Sequence, residues 1–408
     1  MPHVIAGRLR GVGAAGLLLL SSGWGPAMGQ TDQATPPPPA GATTEPEAAA
    51  APVPEVEESD TAQLPPANPH WLLAYTSFNE AARLIDGDAG KVLGAIHIAQ
   101  LSNATFVPGA DRIVVAESIW TKGNRGTRQD MLSVYDGRTL KLDHEIPLPG
   151  RLLTGNRRST LDVSPDGRFA YIYDMSPASV VMMIDLQRRK LARTVEIAGC
   201  SGAYAFGVTR FLSICGDGTV ATVDVSKSKV AVVQSSSFFN ADEDPIFDNS
   251  VVESRSGRAF LLSYSGLIYE VRAGTEPQVA PAWSLQEAAG MARGSTKPLQ
   301  PSWLPGGRQL IAFNPKTGRL YVLMHMGEFW SHKESGTELW EVDVDQHKVL
   351  CRHKLEEHAD SVAVSQDDKP VLFLSTKDSE ALRIIDAATF DTKAEMEELP
   401  SRLMAVLP

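Results

Sequence analysis

"LSVYDGRTLKLDHEI", Leu132 to Ile146, reads as two short strands about a turn: an apolar, β-forming run up to Tyr135, then Asp136-Gly137, then a second run ending at Ile146. The pattern recurs in "ARLIDGDAGKVLGAIHI", "VMMIDLQRRKLARTVEI", "ATVDVSKSKVAVV", "LIYEVRAG", "LWEVDVDQHKVLCRH" and "LRIIDAATFDTKAEM". Each first strand ends in an acidic residue: Asp86, Asp136, Asp185, Asp224, Glu270, Asp343 and Asp386. Their spacings lie between 39 and 50 residues, except for 73 between Glu270 and Asp343, an interval that must hold insertions. That is the period of a four-stranded propeller blade, with the acidic residues accepting turn hydrogen bonds.

A second element precedes most of these markers: "PGADRIVVAES", "PDGRFAYIYD", "SGRAFLLSYS", "KTGRLYVLMH" and "QDDKPVLFLS" are polar turns feeding buried strands. Seven markers predict an all-β, seven-bladed β-propeller over residues 67–408. Its ring closes by pairing the C-terminal "LMAVLP" with "HWLLAYTS", so that one blade mixes both chain ends. An open sandwich or two smaller β domains is the alternative. Helical periodicity is confined to "SLQEAAGMARG", Ser284 to Gly294, which predicts one short helix.

Residues 1–29 resemble an export signal: Arg8 and Arg10 precede an apolar run to Leu20, and Ala27-Met28-Gly29 offers a cleavage site. A membrane anchor is the competing reading, but the run falls short of the roughly 20 residues a spanning helix needs. Residues 30–66 are rich in Pro, Ala and Glu and predict a disordered acidic arm. The 38 basic and 49 acidic residues, net −11, argue against a nucleic-acid partner, and no second segment approaches membrane-spanning length.

An exported chain matures where thiols oxidise, so Cys200 and Cys215 read as a disulfide rather than a metal site or a nucleophile. The bond would staple the start of the fourth repeat to its own hairpin, worth about 3 kcal/mol. Cys351 is left over and is expected to be a buried free thiol. The sequence offers no Gly-x-Ser-x-Gly elbow, phosphate loop or zinc-protease helix, and His353 and His358 lack a third partner at ligand spacing. No catalytic or metal-binding residue is therefore assigned.

Two tryptophan loops stand out. Trp120 opens the basic, glycine-containing run "WTKGNRGTRQD", and Trp330 stands with His332 and Lys333 in "GEFWSHKESG". Loops at a propeller's ends are where partners bind, although each ring could equally pack over its own blade.

"RGTRQDMLSVYD", "SPDGRFAYIYDMSPASVVMMIDL", "CSGAYAFGVTRFLSICGDGTVATVDV", "NADEDPIFDN", "WLPGGRQLIAFNPKTGRLYVLMH", "FWSHK" and "DSVAVSQDDKPVLFLST" resemble the large subunit of the bacterial quinoprotein amine dehydrogenases, the methylamine and aromatic amine dehydrogenase family. The resemblance implies a seven-bladed propeller in the periplasm, paired with a small cysteine-rich subunit that carries tryptophan tryptophylquinone. It implies a heterotetramer of two large and two small subunits that oxidises primary amines to aldehyde and ammonia. Electrons would pass to a blue-copper protein such as amicyanin or azurin. The Cys200–Cys215 pair matches a cysteine pair of the family, and counting back from Arg125-Gly126 places Trp120 at the substrate channel. A propeller that only docks partners, or one that is an enzyme by itself, are the competing functions.

Overall fold

The computed structural model describes residues 63–151, 157–227 and 229–408. The expected signal at 1–29 and nearly all of the arm to residue 66 lie outside the described residues. Antiparallel hairpins dominate, arranged in six hydrogen-bonded sheets. The first joins both ends of the described chain, in the order Leu403–Val406, Trp71–Tyr75, Ala81–Asp86 and Lys91–His97. The second runs from Asn103–Phe106 to Leu142–Leu148, the third from Leu161–Val163 to Lys190–Glu196, and the fourth from Cys200–Ala205 to Val232–Gln234. The fifth starts at Val251–Glu253 and has five strands; the last holds eight, Ser302–Pro305 to Thr392–Met396.

The architecture is a β-propeller, with a correction to the blade count. Five sheets are separate blades, whereas the sixth and seventh repeats share the eight-stranded sheet. The cause is a single 17-residue strand, Lys348–Val364. Its first part pairs with Gly336–Asp343 and its last part with Val371–Thr376. The stretch contains no Gly, Pro or Asn to break it, so the chain passes from one repeat to the next without leaving the extended state. The acidic markers count hairpins; they are blind to a connection of this kind.

The core lies between the sheets. One apolar cluster joins Leu84 and Ile96 of the first sheet to Phe106 and Val115 of the second, and another joins Leu132 and Ile146 to Ala170 and Met182 of the third. The series continues to a layer in which Leu72 and Ile85 of the first sheet meet Val371 and Phe373 of the last. Middle strands are buried on both faces and lose the period-two alternation: Phe169–Asp174 and Val371–Thr376 are almost wholly buried. Outer strands such as Lys190–Glu196 keep it.

Local chemistry matches the repeat. The carboxylates of Asp86, Asp136, Asp185, Asp343 and Asp386 each accept backbone N–H bonds from the residues two and three positions on, and Asp224 accepts from Ser226. Glu270 departs from this: its longer side chain reaches Arg258 on the neighbouring strand at 2.8 Å and Arg272 two residues on along its own strand at 2.6 Å. The short helix is Leu285–Ala288, capped by the Ser284 hydroxyl, which accepts from the Glu287 N–H. Cys200 and Cys215 face each other across adjacent strands and are joined by a disulfide. Cys351 is exposed, contrary to expectation, because it lies on the outer part of the long strand, one face of which meets solvent.

The ring closes where Leu73 pairs with Ala405. A polar clasp reinforces the seam on the side of the first and last sheets: His70 Nδ1 lies 2.7 Å from Asp88 and Nε2 3.2 Å from Asp367. Burial works against both carboxylates. Even so, His70 and Lys393 hold Asp88 below the usual range, and the Ser365 hydroxyl, the Lys369 N–H and His70 do the same for Asp367. Carboxylates lowered in the folded state stabilise it fully above the unfolded value of about 3.9, and that contribution is lost as pH falls through the folded values. His70→Asn is expected to cost roughly 0.5–1 kcal/mol near neutral pH and to flatten the loss of stability in acid. Melting temperatures of both proteins from pH 7 down to pH 2 check this; parallel curves would refute it.

Candidate partner-docking face

Because strands alternate in direction, two kinds of connection emerge at the same end of the ring: those between the second and third strands of a sheet, and those leading from one sheet to the next. The Trp120 and Trp330 loops are both of the first kind. Sequence reasoning named these loops separately; the topology gathers them on one face.

The Trp120 loop is a tight hairpin between Arg112–Trp120 and Arg128–Asp136. Gly126 has φ +95°, and a Cβ there would stand 2.4 Å from the Thr121 hydroxyl, so only glycine fits. The Arg128 guanidinium sits 6.0 Å from the centre of the partly exposed Trp120 ring. The loop rests on a buried polar base. Arg128 donates to the Arg151 carbonyl at 2.8 Å and pairs with Asp130 at 2.7 Å, while Arg151 donates to the Leu101 carbonyl. Burial lowers the Arg151 pKa to about 10, which leaves the guanidinium charged at neutral pH.

The second feature is an aromatic cluster. Tyr264, in the turn between the second and third strands of the fifth sheet, stacks on His332 at 4.2 Å and meets Phe247 at 4.4 Å. Trp330 stands edge-on to Tyr264 at 6.0 Å, contacts Phe329 at 4.8 Å and keeps 57% of its surface exposed. His325, behind the loop, lies 2.7 Å from the Ser331 hydroxyl through Nε2. That hydroxyl donates to the Glu328 carbonyl, so the imidazole must donate from Nε2, leaving Nδ1 bare.

Apolar residues concentrate at this end. Phe78, Ile119, Met175, Leu299, Met326 and Trp330 sit in its loops or at the strand ends feeding them, with Leu299 83% and Phe78 71% exposed. Beneath them runs a polar girdle that links segments from different sheets. Arg158 donates to the Met404 carbonyl at 2.8 Å, and Gln309 exchanges hydrogen bonds with Met404 and donates to the Val362 carbonyl. Arg308 pairs with Asp360 at 3.0 Å, Asn249 donates to the Arg308 carbonyl, Arg157 pairs with Asp248 at 2.6 Å and Tyr204 donates to the Asp248 carbonyl. The girdle makes this face a rigid platform. Sequence reasoning missed Tyr264, Phe247 and the Arg157–Asp248 pair; the aromatic content of "SYSG" and "PIFDN" was the available signal.

Among the described residues no group of three or more His, Cys, Asp or Glu is placed to hold a metal ion. His353 stacks on Phe390 at 3.6 Å. The face offers exposed aromatic and aliphatic contact area. Burial lowers the pKa of both His325 and His332, and Lys333 adds to the effect at His332. Both rings should stay neutral at pH 7 and titrate below the ordinary 6.5, so acidification through that range costs folding free energy. Ring-proton NMR titration checks this; a midpoint at or above 6.5 would contradict the burial argument.

A family profile described as methylamine dehydrogenase heavy chain (MADH) matches residues 70–405. The methylamine dehydrogenase heavy chain of Paracoccus versutus is 27% identical over 320 residues, covering 78% of this chain and 73% of that one. The heavy chain of Methylophilus methylotrophus is 26% identical over 324 residues, covering 77% and 76%. The fold resembles the periplasmic gluconolactonase PpgL of Pseudomonas aeruginosa, with TM-score 0.55 and 14% identity over 83% of this chain and 99% of that one. It also resembles a functionally unknown protein from Desulfotomaculum acetoxidans, with TM-score 0.57 and 12% identity over 83% and 98%.

Proposed function

Because the chain belongs to the methylamine dehydrogenase heavy-chain family, we propose that it is the large, quinone-free subunit of a periplasmic amine dehydrogenase whose small subunit docks on the tryptophan-bearing face. The concentration of Trp330, Leu299, Phe78 and their neighbours at one end carries this reading, since an apolar patch with aromatic anchors marks an interface. In this reading the eight-stranded sheet serves the last two repeats, and the assembly holds two large and two small subunits. The export signal at 1–29 would deliver the chain to the periplasm, and a blue-copper protein would collect the electrons.

The chain's own tryptophans do not suit the quinone. Trp303 and Trp340 lie 5.9 Å apart, but Trp340 is fully buried and Arg352 covers both rings, at 4.5 and 5.0 Å. Tryptophan tryptophylquinone on the small subunit would supply the two-electron oxidation of the amine. The propeller would bury that subunit's surface, exclude water and shape the amine's route, with Trp120 as the wall of the channel.

Three outcomes test this. Purification from the periplasm should yield a small partner whose visible absorption bleaches on adding a primary amine; a chain that purifies alone, with no amine-dependent bleaching, would sink the proposal. Trp330→Ala should weaken assembly about 10- to 100-fold while changing the stability of the large subunit by less than about 1 kcal/mol, measured by titrating the subunits and by thermal melts. Trp120→Ala should change the ratio of kcat/KM for bulky and short amines about tenfold with little effect on melting; an unchanged ratio would remove Trp120 from the channel.

A further inference from the structure

The two tryptophans of the docking face are held in different ways. Trp330 stands among the rings of Tyr264, Phe329 and His332. Trp120 has no such aromatic neighbour among the described residues; the Arg128 guanidinium covers its face instead, 6.0 Å from the ring centre. The two residues lie directly opposite each other in the register of the hairpin. Backbone bonds at the tip, from the Thr121 N–H to the Thr127 carbonyl at 3.1 Å and from the Lys122 N–H to the Arg125 carbonyl at 3.0 Å, fix the backbone next to Trp120. They do not fix its side-chain torsions, and the indole is partly exposed, so its position depends on what lies against the ring.

A surface arginine with free rotamers could orient nothing. Arg128 is fixed. Its Nε and Nη2 both donate to Asp130 Oδ1, at 2.8 and 2.7 Å, and Nη2 also donates to the Arg151 carbonyl at 2.8 Å. Both anchors are themselves tied down. Asp130 Oδ1 also accepts from the Ser118 hydroxyl. Arg151 is buried, and its guanidinium donates to the Leu101 carbonyl and, at 3.4 Å, to Ser118 Oγ. Leu101 lies in the connection from the first sheet to the second and Arg151 in that from the second to the third, so the guanidinium is held by groups outside the hairpin tip. Engaging a carboxylate and a carbonyl at once while covering a ring requires a forked, planar cation. Such a cation over an indole at a partly exposed site favours one ring position about three- to fivefold.

We propose that Arg128 is a positioning residue for Trp120: by holding the indole in one place it sets the width of the amine channel, and so discriminates among amines by size. This rests on the reading of Trp120 as the channel wall. The test uses the assembled complex, with methylamine and benzylamine as probes, and compares Arg128→Gln, Trp120→Ala and the double variant. Arg128→Gln should move the ratio of kcat/KM for the two amines about three- to fivefold in the direction of Trp120→Ala, and should add nothing in the double variant, since its effect runs through the indole. Arg128→Lys keeps a cation beside Asp130 but loses the fork; it should move the ratio the same way, and it carries the test if Arg128→Gln does not fold. A second readout needs no turnover. With fluorotryptophan in the large subunit, the Trp120 fluorine resonance, assigned by its loss in Trp120→Ala, should shift in both Arg128 variants while the other tryptophan resonances stay in place. A ratio that Trp120→Ala moves and the Arg128 variants do not, additive effects in the double variant, or an unmoved Trp120 resonance would each overturn the proposal. A ratio that Trp120→Ala itself leaves unchanged would remove Trp120 from the channel and the specificity role of Arg128 with it, an outcome told apart from the others by the single Trp120 variant.

Discussion

The pairing of Leu403–Val406 with Trp71–Tyr75 is the constraint on which the rest of the molecule depends. Each sheet buries both faces against its neighbours, so a ring left open would expose two apolar sheet faces at once. The closing strand contributes Met404 and Ala405 to two different interfacial cores, and its backbone also receives the Arg158 and Gln309 side chains at the axis. Closure by four residues thus locks both the outer packing and the inner girdle, and the His70 clasp adds a polar fastening at the rim. Among the described residues this closure is the most non-local strand pairing, so it carries the largest loop-closure cost.

Rigidity at the axis is what lets the end faces vary. The girdle satisfies polar groups that a sheet-to-sheet junction would otherwise bury unpaired, and it does so largely with side chains from connecting segments: Arg157 and Arg158 before the third sheet, Asp248 and Asn249 before the fifth, Arg308 and Gln309 within the sixth repeat. Loops standing on such a base can carry exposed tryptophan, leucine and phenylalanine without threatening the core. Trp330 tolerates φ +76°, a conformation L-residues rarely adopt, because Tyr264, Phe329 and the hydrogen bonds of the same loop hold it there.

What the sequence disclosed follows from the range of each interaction. Asx turns are local, and six of the seven markers accept turn hydrogen bonds as aspartates there can; Glu270 escapes because one more methylene lets it reach Arg258 on the neighbouring strand and Arg272 on its own. The pairing of the chain ends could be foreseen because a ring needs it. The union of the last two repeats could not, since the lack of Gly, Pro or Asn in Lys348–Val364 permits a continuous strand without requiring one. Cys351 was misplaced for a related reason: an apolar-looking strand gives no sign of which side faces solvent when its neighbour on that side is missing. At the docking face, the tryptophans were visible as residue types, whereas the stacking of Tyr264 on His332 joins turns of different sheets and has no local signature.

The two ends of the ring have opposite characters, and this bears on what each can bind. The face with Trp120 and Trp330 is apolar and aromatic, suited to burying a partner's surface and to excluding water where a partner's chemistry needs it. At the opposite end the turns joining first to second strands carry Arg255 and Lys316, which make no ion pair among the described residues. The girdle lies between them, tying the segments that carry Arg157, Asp248 and Arg308 to the loops that carry the aromatic cluster through the Gly307 N–H, which donates to the His332 carbonyl at 3.2 Å. A body so tied transmits little motion from one end to the other. It therefore suits the positioning of a partner's surface better than its switching.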